Sequence, residues 1–555
     1  MKDYPRWLRR VKDETLHKEL LSMGEAEKGD AFYKDLEFGT GGLRGLLGAG
    51  SNRLNVYTVG RISQGLASYV NAHFKDPSIA ISYDSRINSR LFAETAASVF
   101  AANGIKAYLY DRLMPTPCLS YAVRYLRSAA GVMVTASHNP KEYNGYKVYE
   151  GHGCQITLEM AKEIGRAIEE TDVFDGVRSL PFPEGLEKGL IAYIPQGCYE
   201  SYMRYIMGKD IPEIQPRDLR IVYSPLNGTG RVPVLDALRK AGFANVFPVR
   251  EQALPDGSFP TCPKPNPELR EALALGIRDL RDKKGDLLLV TDPDCDRLGT
   301  AFLIDGEPCL LSGNEIGILL CDFLLRHKRH DAESVLVKTI VTTDMVIQMA
   351  EDNGMKVVET LTGFKFIGEE IGRLEREGHP ERFFMGFEES YGYLTGTEVR
   401  DKDAVDAALN VALMFQSYRN GGKSPLARLD ELYRKYGYYE NALDSYEFEG
   451  ESGFGKMRGL MDRVRAYGEA HLGDFAFVDD CLAGTHKGTD GERKLALPSS
   501  DVMKFGFKDG ATVTIRPSGT EPKLKVYYSV RGSRKEGLEA SLRDKRSFVA
   551  SFMGS

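Results

Sequence analysis

The sequence lacks paired metal-binding cysteines, long apolar runs and any excess of positive charge. Its eight cysteines, at positions 118, 154, 198, 262, 295, 309, 321 and 481, are widely spaced and form no CxxC pair. That disfavours zinc sites and a disulfide framework and fits a reducing compartment. Residues 1–25 are densely charged without the apolar core of a signal peptide, and the most apolar helical stretch, 316–325, is interrupted by Asp322 and too short to cross a bilayer. A soluble, cytoplasmic protein is expected, its charged start forming an amphipathic helix packed on the first domain. Lys plus Arg number 73 against 79 Asp plus Glu, a net charge of −6. Nucleic acid and acidic membranes are therefore not expected partners, although a small anion needs only a local basic pocket. What is present is ordinary globular material: 555 residues, 42% hydrophobic and 27% charged, too long for one core and suited to three or four domains.

One α/β unit is written three times. A strand at 79–83, a helix at 88–102, an Asn103-Gly104 stop and a strand at 105–110 recur as 220–223, 232–240, Gly242 and 246–249. They recur again as 335–340, 345–351, Asn353-Gly354 and 356–359. Each copy continues through another helical stretch into a last short strand, beginning near 131, 285 and 382. Alternating strands and helices predict mainly parallel sheets, which bind ligands beyond the carboxyl ends of their strands. The three terminal loops are then equivalent, and Ser137, residues 292–297 and residues 388–390 would face one cleft. After about residue 435 the texture changes to strands at 513–515 and 524–530 and a helix at 537–552, with a turn-rich candidate hinge at 420–425. The predicted fold is α/β: three similar α/β domains with mainly parallel mixed sheets plus a smaller α+β C-terminal domain, around one central cleft. Its expected boundaries are 1–205, 206–311, 312–435 and 436–555.

Residues 131–147 read GVMVTASHNPKEYNGYK. The apolar strand ends at a loop that exposes Ser137, flanked by His138 and Asn139, with Lys147 able to supply a cation. This reads as a serine that carries a phosphoryl group, or as a plain turn. In the second copy Asp292, Asp294 and Asp296 alternate directly after a Leu-Leu-Leu-Val strand, an oxygen set suited to a hard divalent cation such as Mg²⁺. An EF-hand is excluded, because Arg297 stands where glycine is needed and Leu303 where glutamate is needed. Cys295 is filler between ligands. The third copy offers Glu388 and Ser390 to sugar hydroxyls, preceded by Thr362-Gly363-Phe364-Lys365; the run 400–403, Arg-Asp-Lys-Asp, either orients that loop or is a surface charge cluster. Upstream, FGTGGLRG at 38–45 is a turn or a backbone that approaches an anion, with Arg44 able to fork onto phosphate. In the last domain Arg516, Ser518, Gly519 and Thr520 make a compact phosphate cradle or a generic turn, with Lys525 close behind.

Together TASHNP, DPDCDR, GFEES and RPSGT, in this order and spacing, resemble the α-D-phosphohexomutase superfamily across nearly the whole chain. FGTGGLRG, YDSR at 83–86 and TGFKFIG look most like its branch containing phosphoglucomutase-2, phosphopentomutase and bacterial α-phosphoglucomutases. The resemblance implies a phosphotransferase-type isomerase acting on glucose phosphate, with Ser137 phosphorylated at rest and glucose 1,6-bisphosphate as intermediate and activator. By the same resemblance Asp292, Asp294 and Asp296 bind Mg²⁺ with an oxygen on Ser137, and Arg297 lies beside them. Thr362, Gly363, Glu388 and Ser390 meet the sugar, while Arg516, Ser518, Gly519 and Thr520 hold the phosphate that is not in transfer. Arg44 and Lys147 steer protons, and His138 supports the phosphoserine. A pentose phosphate substrate or bisphosphate synthesis are the alternatives, and a monomer or weak homodimer is expected. One departure is plain: the phosphomannomutase/phosphoglucomutase branch carries a histidine after its sugar-loop serine, where this chain has Tyr391-Gly392. The paired glutamates resemble the glucose-preferring form, so mannose specificity is disfavoured.

Overall fold

A computed structural model describes residues 3–448, 453–518 and 523–553. Its first sheet has the order β1-β5-β4-β2-β3-β6, formed by β1 (Gly42–Leu46), β2 (Ser78–Tyr83), β3 (Lys106–Leu109), β4 (Ala130–Val134), β5 (Tyr143–Glu150) and β6 (Ile191–Tyr193). The second, β7 (Ile221–Ser224), β8 (Val246–Pro248), β9 (Leu287–Thr291), β10 (Leu298–Ile304) and β11 (Glu307–Leu311), runs β11-β10-β9-β7-β8. The third, β12 (Val335–Thr339), β13 (Lys356–Thr360), β14 (Phe383–Glu388) and β15 (Gly392–Leu394), runs β13-β12-β14-β15. In each, a central strand lies parallel to both neighbours: β2 between β3 and β4, β7 between β8 and β9, β12 between β13 and β14. Every residue of β4, β9 and β14 is buried, which is why these strands read as unbroken apolar runs.

The strand order hides one feature common to all three units. After its terminal loop each chain returns antiparallel against the strand it has just left: β5 on β4, β10 on β9 and β15 on β14. The loops are thus pinned at both ends. The helix Ala404–Asn420 is buried nearly all round and starts at Asp403, whose carboxylate caps the Val405 and Asp406 N–H groups. It packs against β9, β10 and β15, so the second and third units share one core.

The fourth sheet is antiparallel throughout, in the order β16-β22-β21-β20-β17-β18-β19, formed by β16 (Tyr438–Glu447), β17 (Phe475–Asp480), β18 (Thr485–Gly488), β19 (Gly491–Lys494), β20 (Met503–Phe507), β21 (Thr512–Pro517) and β22 (Lys523–Gly532). Helices Gly453–Ala470 and Leu538–Met553 cover it. The expected hinge at 420–425 is corrected. That loop joins two helices of the third unit, the second of which, Pro425–Tyr436, buries Leu429 and Leu432 in the shared core. The passage to the last sheet comes at Gly437, at φ 93°. The charged start is likewise not one helix but three, Tyr4–Arg10, Glu14–Ser22 and Glu25–Phe32, because Asp13 caps a new start through Leu16 N–H and Gly24 begins another. They close over Trp7, which packs edge-on against Phe32, Tyr57 and Phe174. Among the described residues no helix is long and apolar enough to cross a membrane.

Candidate active site

The carboxyl ends of β4, β9 and β14 each give way to a loop with one strained, non-glycine residue: Ser137 at φ 52°, Cys295 at φ 54° and Tyr391 at φ 65°. Side chains rarely adopt this left-handed region unless their surroundings hold them there. For Ser137 the holding group is Arg86, at the end of neighbouring β2. Its guanidinium donates to the carbonyl oxygens of Ser137 at 2.5 Å, Pro140 at 2.9 Å, Tyr143 at 3.0 Å and Asn139. Asp84 Oδ2 stands 3.4 Å from Arg86 Nε and accepts the Thr135 hydroxyl at 2.6 Å; Thr135 Oγ1 in turn accepts the Ser137 N–H at 2.7 Å.

So fixed, Ser137 Oγ donates to Asp292 Oδ2 across the boundary between units at 2.7 Å, and lies 3.1 Å from His138 Nδ1. The hydroxyl proton points to Asp292, so the ring nitrogen donates. Burial, then the charges of Arg297 and Arg44, push His138 well below its ordinary value and keep it neutral. On the far side Lys147 Nζ meets Asp294 Oδ2 at 2.7 Å and Asp296 Oδ2 at 3.5 Å. Burial opposes its charge, but Asp294 and Asp296 outweigh it and raise the ammonium, which stays protonated. Arg44 reaches the same loop through Asn139 Oδ1 at 2.9 Å. Solvent touches its head, yet the cleft walls strip enough water to lower it, and Asp294 offsets this only in part.

Gly42, in the stretch 38–45, makes a close approach to a neighbouring strand. Gly42, at φ 134°, pairs with Lys147, and a Cβ there would stand 2.1 Å from the Tyr146 carbonyl oxygen. Glycine lets β1 lie against β5, which is what sets Arg44 beside Lys147's strand.

Asp292, Asp294 and Asp296 are buried, and each offers one oxygen within 4.8 Å of the others. Asp294 Oδ1 and Asp296 Oδ1 have no hydrogen-bond partner among the described residues. Burial and its two neighbours raise Asp292, whereas Lys147 overcomes burial and lowers Asp294. Buried, unpartnered carboxylate oxygens converging on one point fit a hard divalent cation. Two residues from outside this loop hold it: Thr116 gives its N–H to the Asp294 carbonyl at 2.9 Å and its hydroxyl to Asp294 Oδ2 at 3.0 Å, and Lys402 Nζ stands 3.2 Å from Asp296 Oδ2. Residues 400–403 are all buried. They are not a surface cluster: Lys402 reaches the metal loop, Arg400 donates to Glu375, Asp401 accepts from Tyr149, and Asp403 caps the helix that follows.

In the third unit Glu388 Oε1 accepts the Gly363 N–H at 2.7 Å, which ties the Thr362-Gly363 turn to the sugar-loop candidates. Ser390 follows, half-buried. Glu389 accepts the Thr342 hydroxyl at 3.1 Å, and burial followed by Glu388 pushes it up to about 7. Leu298 N–H donates to the Tyr391 carbonyl at 3.0 Å, joining metal loop to sugar loop. In the last sheet Arg516 pairs with Lys525 across β21 and β22, and Ser518 N–H donates to the Lys523 carbonyl at 2.7 Å. Lys525 is lowered by burial, with Glu268 and Arg297 next among the charges it faces. Gly519 and Thr520 lie outside the described residues.

Comparison with known proteins agrees with this arrangement along the chain. Models of the phosphoglucomutase/phosphomannomutase alpha/beta/alpha domains I, II and III match residues 35–174, 200–302 and 312–436, and the model of the C-terminal domain matches 469–541. A phosphoglucomutase of Staphylococcus haemolyticus is 37% identical over 505 residues, 90% of this chain and 91% of that protein. One of Staphylococcus aureus strain USA300 is 34% identical, covering 95% of each. The fold is that of a phosphoglucomutase/phosphomannomutase family protein from Burkholderia thailandensis, with TM-score 0.68, 17% identity, and 93% of this chain and 98% of that one aligned. Pp63/parafusin, a phosphoglucomutase from Paramecium, aligns at TM-score 0.68 and 16% identity over 94% and 96%. By sequence and by architecture this chain belongs to the phosphoglucomutase/phosphomannomutase family, within the α-D-phosphohexomutase superfamily.

Proposed function

We propose that the protein is a phosphoglucomutase that interconverts α-D-glucose 1-phosphate and D-glucose 6-phosphate through phosphorylated Ser137 and glucose 1,6-bisphosphate. The observation that carries this reading is the 2.7 Å contact between Ser137 Oγ and Asp292 of the buried carboxylate triad, which sets a nucleophile against a cation site. Relatives of the same length are named for this activity.

Asp292, Asp294 and Asp296 would hold Mg²⁺, which when bound supplies charge neutralisation at the transferring phosphoryl group. In the first step the Oγ–P bond of phospho-Ser137 breaks as a bond forms from phosphorus to O6 of glucose 1-phosphate. The O6 proton is relayed to Oγ, which ends as the hydroxyl that donates to Asp292 here. Neutral His138 stands 3.1 Å from Oγ and is placed to carry that proton, while cationic Lys147 and Arg44 neutralise the oxygens in flight. The bisphosphate turns over, the bond from phosphorus to O1 breaks as one forms from phosphorus to Oγ, the Oγ proton passes to O1, and glucose 6-phosphate leaves. Glu388 and Ser390, with the Thr362-Gly363 turn, would orient the sugar. Arg516, Ser518, Gly519 and Thr520 would grip the phosphate at rest.

The test is initial rates with Mg²⁺ and a trace of glucose 1,6-bisphosphate on the 1-phosphates of α-glucose, mannose and ribose, for wild type and Ser137→Ala. Glucose 1-phosphate is expected to be preferred, and loss of Oγ to lower turnover by roughly four orders of magnitude or more. Full activity of Ser137→Ala would sink the phosphoserine, and preference for ribose would move the reading to a pentose substrate.

A further inference from the structure

Arg297 ends the metal loop, and its side chain is claimed by a carboxylate that belongs to none of the motifs. Its backbone N–H donates to Asp292 Oδ1 at 3.1 Å, its Nη1 donates to Glu268, and its Nε, 3.9 Å from Asp296 Oδ1, has no hydrogen-bond partner among the described residues. Glu268 comes from a separate loop of the second unit, after Pro-Lys-Pro-Asn-Pro at 263–267. That loop is built rather than loose: Asn266 Oδ1 accepts the Glu268 N–H at 3.1 Å, and the Asn266 carbonyl accepts the Leu269 N–H at 2.9 Å. It is also seated on β10, since a Cβ on Gly299 would come within 2.8 Å of the Pro267 carbonyl oxygen. Glu268 therefore stands at a fixed place on the cleft wall, its side chain 30% exposed and that of Arg297 17%.

Glu268 is the leading carboxylate that Arg297 faces, ahead of Asp296 and Asp292, and Asp296 is shared with Lys147 and Lys402. The pair matters during turnover. The bisphosphate must release the metal loop once in each cycle, and a phosphate that leaves a largely buried guanidinium strands that charge. A carboxylate waiting at the same nitrogen removes the penalty, at the expense of competing with phosphate when it returns.

We propose that Glu268 is an exchange partner for Arg297, taking its guanidinium each time a phosphate leaves the metal loop and yielding it when a phosphate arrives. The proposal rests on reading the cleft as a phosphosugar site, but its test does not require turnover. Inorganic phosphate is titrated calorimetrically, with Mg²⁺ present, into wild type, Glu268→Gln, Arg297→Met and the double variant. Gln keeps an acceptor for Arg297 and removes the charge, so Glu268→Gln should tighten phosphate by about tenfold, and the gain should vanish in the Arg297→Met background. With α-glucose 1-phosphate, Glu268→Gln should lower kcat and KM together, a split that a merely structural role would not produce, and Glu268→Asp should restore both. Unchanged or weakened phosphate binding in Glu268→Gln, a gain that survives Arg297→Met, or no phosphate binding by any variant would overturn the exchange. A wild type that binds phosphate but isomerises no phosphosugar would retire the mutase reading and leave the calorimetry to decide Glu268.

Discussion

Where the first and second units meet, the functional groups are themselves the joint. Ser137 hydrogen-bonds Asp292 at 2.7 Å, Lys147 pairs with Asp294 at 2.7 Å, and Thr116 binds Asp294 through both main chain and side chain. Where the third unit meets the C-terminal sheet, the joint is made of other residues. Ile340, Val341 and Leu361 pack against Cys481, Val502 and Tyr527, with Phe366, Leu495 and Leu497 at the margin. Beside them runs a ladder of ion pairs: Lys504 to Glu359 at 3.7 Å, Glu359 to Lys338 at 2.8 Å and Lys338 to Asp344 at 2.7 Å. The first joint cannot open without stranding buried charges of the metal loop. The second holds none of the metal-loop groups, so it can be weakened without touching them.

The comparison breaks most violently at Arg86. Arg86→Ala removes the donor to four carbonyls of the Ser137 loop and leaves Asp84 buried without its cation. The expected loss is about 3–5 kcal/mol of stability and about a hundredfold or more in kcat, because a serine displaced by an ångström is out of line. Arg86→Lys separates the two effects. A lysine keeps the charge beside Asp84 but lacks the fork that reaches several carbonyls, so stability should largely recover while kcat stays low. Denaturant melts and initial rates on the two variants check this, and recovery of both quantities with Lys would show that charge alone holds the loop.

The sequence made the three units and their terminal loops legible because chain order preserves them: each apolar strand, its stop and the polar loop after it are contiguous. What stayed hidden depends on contacts distant in sequence. Arg86 was within reach, since YDSR ends the strand beside β4 at the same sheet edge. Thr116 and Glu268 were not, because nothing local distinguishes them from a helix cap or a loop acid until the units are assembled. Residues 400–403 were open between two readings because charge predicts exposure, and only burial of all four decides. The left-handed backbones of Ser137, Cys295 and Tyr391 leave no mark in residue type at all. Gly42 was legible only in part, since a glycine signals a close approach but not which backbone approaches it.

The second joint should fail in acid, and Asp344 sets the window. Burial alone would raise this carboxyl, but Lys338 and then Lys504 outweigh it and hold it at about 2, below its ordinary 3.8. A depressed carboxyl contributes stability that is fully present above its unfolded value, near pH 4, and is lost as pH falls through the folded one, near pH 2. The amount at neutral pH is about 2 kcal/mol. Urea melts of wild type and Asp344→Asn should differ by that much at pH 7 and converge as pH falls toward 2. A gap that persists to pH 2 would mean that Asp344 acts by packing rather than by charge.

The smallest expected effect discriminates best between the two joints. Lys504 is the cation that the C-terminal sheet contributes to the ladder, and in Lys504→Ala Glu359 still keeps Lys338. The loss is therefore about 1 kcal/mol, as for a single ion pair that is not left stranded. In a local opening equilibrium that is a factor of about five in the open population. Hydrogen exchange reads it directly: the Cys481 N–H, bonded to the Val502 carbonyl at 3.0 Å inside the seam, should exchange about fivefold faster. The Ser137 N–H, bonded to Thr135 Oγ1, should keep its wild-type rate. Raising ionic strength should reproduce part of the acceleration in wild type and add little in the variant, and Lys504→Arg should restore protection. Equal acceleration at both amides would make the four units one cooperative body, whereas the seam can open alone only if the two rates part.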